Sequence, residues 1–340
     1  MKSIVAILLF FTSLSYSQEI KNMVLDANTK EPLEAVSVYF NETTIGTTTN
    51  GNGHFSLTDK VSPNATLVIS FVGYETRLFS LEEIRALDVV YLQEKATSLN
   101  EVVLERDYWS REKKLKIFRR EFLGNDVASL SCKISNEDDI RLIYIESQGV
   151  LYAYCDIPIL IKNKHLGYDV KYNLVDFEVK FKQSLSGLRL VESVHYSGTS
   201  LFAERHKKTK KKHLSQRKKE YLGSALHFMR SLAKKEVIEN NFEVYIKDPS
   251  GTSNLFFPVN AYQYLVVEAQ EDQNVKLTVD NREIVISYDK NVQSTLVTKA
   301  DSNTFLIDSF GIHTPVDKMF FGGYFGLKRI ATMLPADFKF

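Results

Sequence analysis

The sequence predicts an all-β sandwich at the amino end, followed by an α+β domain with an antiparallel sheet and two main helices. Short runs of alternating apolar and polar residues, separated by turn residues, fill positions 20–92. Apolar residues recur at helical spacing in two later stretches, and alternating runs return between and after them. A chain of 340 residues is long enough for about two domains.

Positions 1–17 have the pattern of a signal peptide. Lys2 precedes an apolar run over positions 4–11, and Ser15 and Ser17 are the small residues expected before a cleavage site at Gln18. We therefore expect export, to the periplasm or to the outer membrane. No later apolar run reaches the roughly 20 residues that span a bilayer as a helix, so we expect no transmembrane segment after cleavage.

Residues 18–95 are the predicted sandwich. The turn 50–53, Asn-Gly-Asn-Gly, tolerates positive φ and is predicted to close a tight hairpin before Phe55 and Leu57 return to the core. Two further strands each present alternate apolar residues to one face: Val36, Val38 and Phe40 in one strand, and Leu67, Ile69 and Phe71 in the other.

Several separated motifs of this region resemble the carboxypeptidase regulatory-like domain of Bacteroidetes-type exported proteins, which is a transthyretin-like sandwich. They are Val24-Leu-Asp26, Glu31-Pro-Leu33, the segments 46–57 and 68–74, and Leu99-Asn-Glu-Val-Val103. The resemblance implies the fold. It also implies an accessory role, because in metallocarboxypeptidases this sandwich accompanies a separate catalytic domain. Residues 96–106 would then be a linker or a closing strand.

The second domain is predicted over residues 107–340, and its first helix over 107–123. Gly124 follows as a C-cap residue. Large apolar residues share one face of this helix: Tyr108, Leu115, Phe118 and Phe122.

A second helix is predicted over 215–235, because apolar residues repeat there at helical spacing. This half resembles an uncharacterised C-terminal extension found after the regulatory-like sandwich, on motifs such as Arg120-Glu-Phe-Leu-Gly124 and Tyr221-Leu-Gly-Ser224. That resemblance implies no particular activity. Alternating runs predict antiparallel strands over 140–146, 150–156, 159–162, 168–173, 177–182, 242–297 and 304–312.

Cys132 and Cys155 are the two cysteines of the chain. In an oxidising compartment they could form a disulfide. The alternative is that both are small buried apolar side chains on neighbouring strands.

Positions 205–219 are strongly basic, and Lys207, Lys208 and Lys211 are candidate binding residues there. A solvated loop before the second helix would explain the composition. The functional alternative is attraction to an anionic surface glycolipid, such as lipopolysaccharide, or to an acidic cell-envelope protein. We expect no nucleic acid as a partner, because the chain is exported and the basic run lacks interleaved aromatic residues. The net charge of +1 implies no strongly anionic partner for the chain as a whole.

His227 and Arg230 are the other candidate binding residues. Both lie in the second predicted helix, where a helical wheel places them away from the apolar side. His227 would then cap a neighbouring strand or bind a ligand.

The chain lacks the familiar motifs of hydrolases. None of its histidines has a glutamate three residues later, as the zinc site of carboxypeptidases requires, and the nucleophile elbow and the phosphate-binding loop are also missing. We therefore expect no cofactor and no metal, and favour a non-enzymatic binding or assembly module of the cell envelope. Two alternatives stay open: a hydrolase of unfamiliar type that uses Asp176, Glu178 or His195, and an accessory to TonB-linked uptake.

Overall fold

The computed structural model of the protein describes residues 19–95, 107–184, 188–248, 253, 255–270, 274–281 and 283–340. The predicted signal peptide and the predicted linker or closing strand lie outside the described residues. Within the described part of the chain, no helix is both long enough and apolar enough to cross a membrane.

The amino-terminal region is a β-sandwich, as predicted. One sheet has the strand order β4-β1-β7 and the other has the order β3-β2-β5-β6. A tight turn forms at 50–53 as expected, since the N–H of Gly53 donates to the carbonyl of Asn50 at 2.8 Å and Gly53 has a φ of +75°. The predicted hairpin is wrong, because the turn leads from β3 in one sheet to β4 in the other. The elements are β1 (Glu19–Asp26), β2 (Ser37–Phe40), β3 (Gly46–Thr48), β4 (His54–Thr58), β5 (Leu67–Ser70), β6 (Arg77–Phe79), α1 (Leu81–Arg85) and β7 (Val89–Leu92).

Alternation placed the sandwich core correctly. The alternate residues of β2 and β5 that face inward, together with Phe55 and Leu57 of β4, are buried between the two sheets. This period-two pattern is reliable here because one side of each sheet packs on the other. The opposite faces of β2 and β5 are also buried, at Tyr39 and Val68.

The middle region is a six-stranded antiparallel sheet. Its strand order is β8-β11-β12-β10-β9, and β13 pairs with β12. A short 3-10 helix covers Glu137–Asp139. The other elements are α2 (Arg111–Leu123), α3 (Val127–Leu130), β8 (Cys132–Ile134), β9 (Arg141–Ile145), β10 (Val150–Tyr154), β11 (Ile159–Asn163), β12 (Tyr168–Gln183), β13 (Arg189–Glu204) and α4 (Lys211–Tyr221).

Helix α2 ends where predicted and begins four residues later. Ser110 is its N-cap, because the Ser110 hydroxyl accepts a hydrogen bond from the Lys113 N–H at 3.2 Å. Tyr108 therefore precedes the helix and is exposed, contrary to prediction. Phe118 and Phe122 are fully buried, and the ring of Phe118 packs on Phe177 of β12 at 4.8 Å.

Two predicted strands, 168–173 and 177–182, are one long strand, β12. A register shift between Leu174 and Asp176 admits Val175 as an extra residue, so the strand bends without ending. Its partner β13 was not predicted, because most of its residues are exposed or only partly buried and its outer edge pairs with the sandwich over a short stretch around Leu201.

The prediction of one helix over 215–235 is wrong. The chain forms two helices, α4 and α5 (Ala225–Ala233), because Gly223 adopts a left-handed φ of +73° after α4. Ser224 then caps α5, and its hydroxyl accepts the N–H of His227 at 3.1 Å. A side chain at Gly223 would meet the Tyr288 ring at 2.6 Å, so the break depends on glycine.

The last region contains two antiparallel sheets, with strand orders β15-β14-β18-β19-β22 and β16-β17-β20-β21. Short 3-10 helices cover Val316–Lys318 and Ile330–Thr332. After α5 the elements are β14 (Phe242–Lys247), β15 (Phe256–Val259), α6 (Ala261–Tyr264), β16 (Leu265–Ala269), β17 (Val275–Val279), β18 (Glu283–Tyr288), β19 (Val292–Thr298), β20 (Thr304–Ile307), β21 (His313–Thr314), β22 (Met319–Gly322) and α7 (Gly323–Leu327).

The buried apolar side chains that follow the sandwich form two clusters. One contains Phe118, Phe122 and most of the six-stranded sheet, and the other contains Phe228, Phe242 and the sheets of the last region. The two α4–α5 helices lie where these clusters meet, since Tyr221 belongs to the first cluster and Phe228 to the second.

Backbone hydrogen bonds join the sandwich to the outer edge of β13. The N–H of Glu42 donates to the carbonyl of Ser200 at 2.8 Å, and the N–H of Phe202 donates to the carbonyl of Thr43 at 3.0 Å. Buried Tyr39 adds a side-chain link, because its hydroxyl lies 2.8 Å from the hydroxyl of Thr199. The β13 edge is therefore partly covered by the first domain, and β13 leads directly into the basic segment.

Candidate functional site

The basic segment, positions 205–219, is held to the middle sheet by Arg217. The side chain of Arg217 is buried, and its guanidinium donates two hydrogen bonds to the carboxylate of Glu204, at 2.7 and 2.9 Å. It also donates to the carbonyl of Leu166 at 2.8 Å and lies 3.7 Å from the centre of the Tyr168 ring. A forked, planar cation suits this set of partners.

A second arginine attaches the beginning of the segment. Arg205 donates to the carboxylate of Asp169 at 2.6 Å, and its N–H donates to the carbonyl of Gly167 at 3.1 Å. Both arginines therefore face the protein.

The lysines of the segment face solvent. We name Lys207, Lys208, Lys210, Lys211, Lys212, Lys218 and Lys219 the lysine face; all seven are exposed. Among the ion pairs of the described residues, none includes a lysine of this face, whereas both arginines are paired. The three candidates Lys207, Lys208 and Lys211 thus belong to one exposed cationic surface.

Helix α4 adds to the positive potential of the lysine face. Its N-terminus carries Lys210, Lys211 and Lys212, and Lys210 at the N-cap position provides no side-chain hydrogen bond. Cations at a helix N-terminus oppose the helix dipole, so this arrangement costs stability. Nearby, burial and then the charges of Lys212 and Arg217 lower the pKa of His213, which favours the neutral imidazole.

His227 is buried, contrary to its expected place on a polar face. Its Nδ1 accepts a hydrogen bond from the N–H of Gly223 at 3.1 Å, and its ring lies 4.8 Å from the Tyr221 ring and 5.0 Å from the Phe242 ring. The helical wheel failed because α5 lies between two apolar clusters, which cover it from both sides. Burial lowers the pKa of His227.

Arg230 also contacts the protein instead of solvent. Its guanidinium donates to three backbone carbonyls, those of Phe310, Ala336 and Phe338, at 2.7–2.9 Å. His227 and Arg230 line a cavity of about 800 Å³ together with the last residues of the chain. Both side chains bind the protein's own backbone, since the Nε, Nη1 and Nη2 of Arg230 each donate to a carbonyl and the Nδ1 of His227 accepts from Gly223.

The disulfide between Cys132 and Cys155 is not formed; both thiols are free. Cys132 begins β8 and Cys155 follows β10, and two strands of the sheet lie between β8 and β10. Three strand spacings are about 14 Å, beyond the roughly 7 Å that a disulfide allows between Cα atoms. The cysteines are therefore not on neighbouring strands either. Burial raises the pKa of Cys132 to about 12, so its thiol stays protonated.

The structure does bring Asp176, Glu178 and His195 together, as the hydrolase alternative requires. His195 lies opposite Glu178 in the β12–β13 pair, and its Nε2 is 3.7 Å from an oxygen of Asp176. The three side chains lie on an open sheet face, where the His195 side chain is 61% exposed. Water screens charges on such a surface, whereas electrostatic catalysis depends on an enclosed site. Within the described ranges, no group of three or more His, Cys, Asp or Glu side chains could hold a metal ion.

The lysines could be identified from the sequence, but the contacts that fix the segment carrying them could not. Glu204, Leu166 and Tyr168 hold Arg217, and nothing in their local pattern indicates that role. The spacing of Glu204 and Arg217, thirteen residues apart across a loop, has no helical or strand periodicity that would pair them.

These features define a β-sandwich module joined to a β-rich region that presents an exposed cationic surface. Residues 20–104 match the family model described as the CarboxypepD_reg-like domain. This match confirms the predicted resemblance of the first domain and indicates a non-catalytic binding or regulatory module. A search of curated proteins finds none that matches the chain.

Proposed function

We propose that this protein is a non-enzymatic binding module of the cell envelope that attaches to a phosphate-bearing surface glycolipid through the lysine face. The observation that carries the proposal is the difference between the arginines and the lysines of the basic segment. Its arginines bind the protein's own groups, and its lysines have no ion-pair partner among the described residues.

Stability does not account for the lysine face. Several like charges in a short segment repel one another, and those at the start of α4 also oppose the helix dipole. A multivalent anion would relieve both penalties at once. Phosphate groups on a glycolipid supply such an anion, with weak individual contacts that add together.

The amino-terminal sequence supports the location. A signal peptide over positions 1–17 would export the chain to the compartment in which such glycolipids are exposed. The sandwich supports the accessory character of the module, because a regulatory-like domain contributes contacts instead of catalysis.

The test uses lipopolysaccharide that has been deacylated, so that it keeps its phosphates and loses its acyl chains. We expect the protein to bind it in a salt-sensitive way, and to bind a dephosphorylated preparation much more weakly. The triple variant Lys207→Ser/Lys208→Ser/Lys211→Ser should bind about tenfold more weakly, at roughly 0.5 kcal/mol for each exposed contact.

The matched control is Lys60→Ser/Lys95→Ser/Lys247→Ser, which removes three exposed lysines outside the basic segment. It should bind like the original protein. Equal binding by the triple variant, or turnover of a peptide, ester or glycan by the purified protein, would contradict the proposal.

A further inference from the structure

We infer that the lysine face docks on an anionic lipid bilayer and that Leu214 and Phe340 enter the interfacial layer of that bilayer. This inference rests on the proposed function and specifies its partner as a membrane surface. It depends on a second feature of the same surface, namely two large apolar side chains exposed among the cations.

Leu214 is the first of these side chains. It is 50% exposed, on a helix whose other exposed residues are polar or charged. Lys211 is three residues before it and Lys218 is four residues after it, so the three side chains are neighbours on one stripe of α4. A leucine in the protein core would face the side of the helix on which His213 and Arg217 are buried.

Phe340 is the second. It is 65% exposed, yet it is held in place, because its ring stacks on Tyr221 at 5.4 Å. The ammonium of Lys218 lies 4.8 Å from the centre of the same ring. Phe340 thus continues the flank of α4 that carries Leu214, and exposed Lys339 adds one more cation there.

This combination fits a bilayer better than it fits a soluble anion. A dissolved phosphate would neutralise the lysines and leave both apolar side chains in water. At a membrane surface, lysine ammoniums reach the anionic headgroups while apolar side chains enter the boundary between headgroups and acyl chains. The aliphatic stems of Lys211 and Lys218 would lie beside Leu214 in the same layer.

The two glutamates next to the lysine face, Glu204 and Glu220, are paired within the protein. Glu204 is engaged by Arg217, and Glu220 is buried and paired with Lys328 at 2.6 Å and with His165 at 3.1 Å. Positions 205–219 contain no Asp or Glu. Within positions 205–219 the unpaired charges are therefore all positive.

The experiment measures co-sedimentation of the full-length mature protein with vesicles. One set contains phosphatidylcholine alone, and the other contains phosphatidylcholine mixed with anionic phosphatidylglycerol. We expect binding to the anionic vesicles only, and weaker binding as salt increases. Lys211→Ser/Lys218→Ser should lower the partition coefficient about 25-fold, at about fivefold for each lysine near an anionic surface.

The decisive variant is Leu214→Ser/Phe340→Ser, which keeps every cation of the lysine face. We expect it to bind the anionic vesicles about tenfold more weakly. Its matched control is Val175→Ser/Leu188→Ser, which removes two exposed apolar side chains elsewhere and should bind normally. Circular dichroism checks that each variant is folded.

Two outcomes would overturn the inference. If Leu214→Ser/Phe340→Ser binds anionic vesicles as well as the original protein, the apolar side chains do not enter the bilayer. If the protein binds deacylated lipopolysaccharide but no vesicles, the membrane docking is wrong and the proposed function stands. Loss of binding to both probes would instead remove the proposed function itself.

Discussion

The two kinds of cation in the basic segment behave in opposite ways. Arg205 and Arg217 turn toward the middle sheet and are paired with carboxylates, whereas the lysines between and after them turn to solvent. The same division recurs at α5, where Arg230 binds three carbonyls and Lys234, the C-cap residue, is exposed. Within these stretches, charge alone does not distinguish side chains that bind the protein itself from side chains that are free to bind a partner.

The difference has a physical basis. Guanidinium is planar, weakly hydrated and carries five donors, so it can be buried when carbonyls and carboxylates surround it. An ammonium is strongly hydrated and loses more when it leaves water. In a segment that contains both residue types, the arginines can therefore bind the rest of the protein while the lysines stay exposed to solvent.

The largest expected effect is the loss of the buried arginine. Arg217→Ala should lower the free energy of unfolding by about 3 kcal/mol, because it removes the stacking on Tyr168 and leaves the buried carbonyl of Leu166 without this donor. Urea denaturation measures the change. Arg205→Ala, in the same segment but more exposed, should cost less than about 1 kcal/mol. Equal losses in the two variants would refute the distinction between buried and exposed arginines.

A substitution at Arg230 tests whether the forked guanidinium, and not only its charge, stabilises the protein. Arg230→Lys keeps the charge but cannot reach three carbonyls at once, and we expect a loss of about 2 kcal/mol in the free energy of unfolding. Lys234→Ala on the same helix should be close to neutral. A lysine at position 230 that preserves full stability would mean that the three hydrogen bonds contribute little.

The burial of His227 predicts that the stability of the protein depends on pH. Burial lowers its pKa in the folded state, so the unfolded chain binds more protons as the pH falls through the ordinary histidine value. Stability should therefore be complete about one pH unit above the ordinary histidine pKa of about 6.5, and should decrease over the interval in which the pH falls through and below that pKa. His227→Asn should lose less stability over this interval. Some loss should remain, because burial also lowers the pKa of His213 and His313.

The smallest effect on stability belongs to the lysine face. Lys207→Ser/Lys208→Ser/Lys211→Ser should change the free energy of unfolding by no more than about 0.5 kcal/mol, since these side chains make no ion pair among the described residues. Thermal denaturation at low and high salt checks this. A large destabilisation would show that the lysines are structural, and would weaken the contrast with the arginines.

The sequence predicted the sandwich well and the second half only in outline. Alternation identified the residues of β2 and β5 that face the other sheet, because large apolar side chains recur there at every second position. It did not show that Tyr39 and Val68, on the opposite faces, are buried as well. It failed for β13, whose residues face solvent on much of one side, and it divided β12 at a bulge. Helical periodicity correctly indicated helical structure within 215–235. It could not show that Gly223 adopts a left-handed conformation beside Tyr288, which divides this stretch into two helices.

The candidate site also has one part that the sequence predicts and one part that depends on the fold. Lys207, Lys208 and Lys211 could be named from composition, because a run without acidic residues stays charged and near water wherever it folds. The burial of His227 and the contacts of Arg230 could not be predicted. Their partners come from the preceding turn, from the 308–312 loop and from the end of the chain, which only folding brings together.

Local pattern by itself determined the layered sandwich, the position of α2 and the presence of a cationic stretch, since each depends on periodicity or charge within a few neighbouring residues. Tertiary structure alone decided which cations are buried, that the two cysteines lie several strands apart, and that Phe340 lies beside Lys218. These outcomes depend on contacts between distant parts of the chain, and such contacts leave no periodic signal in the sequence.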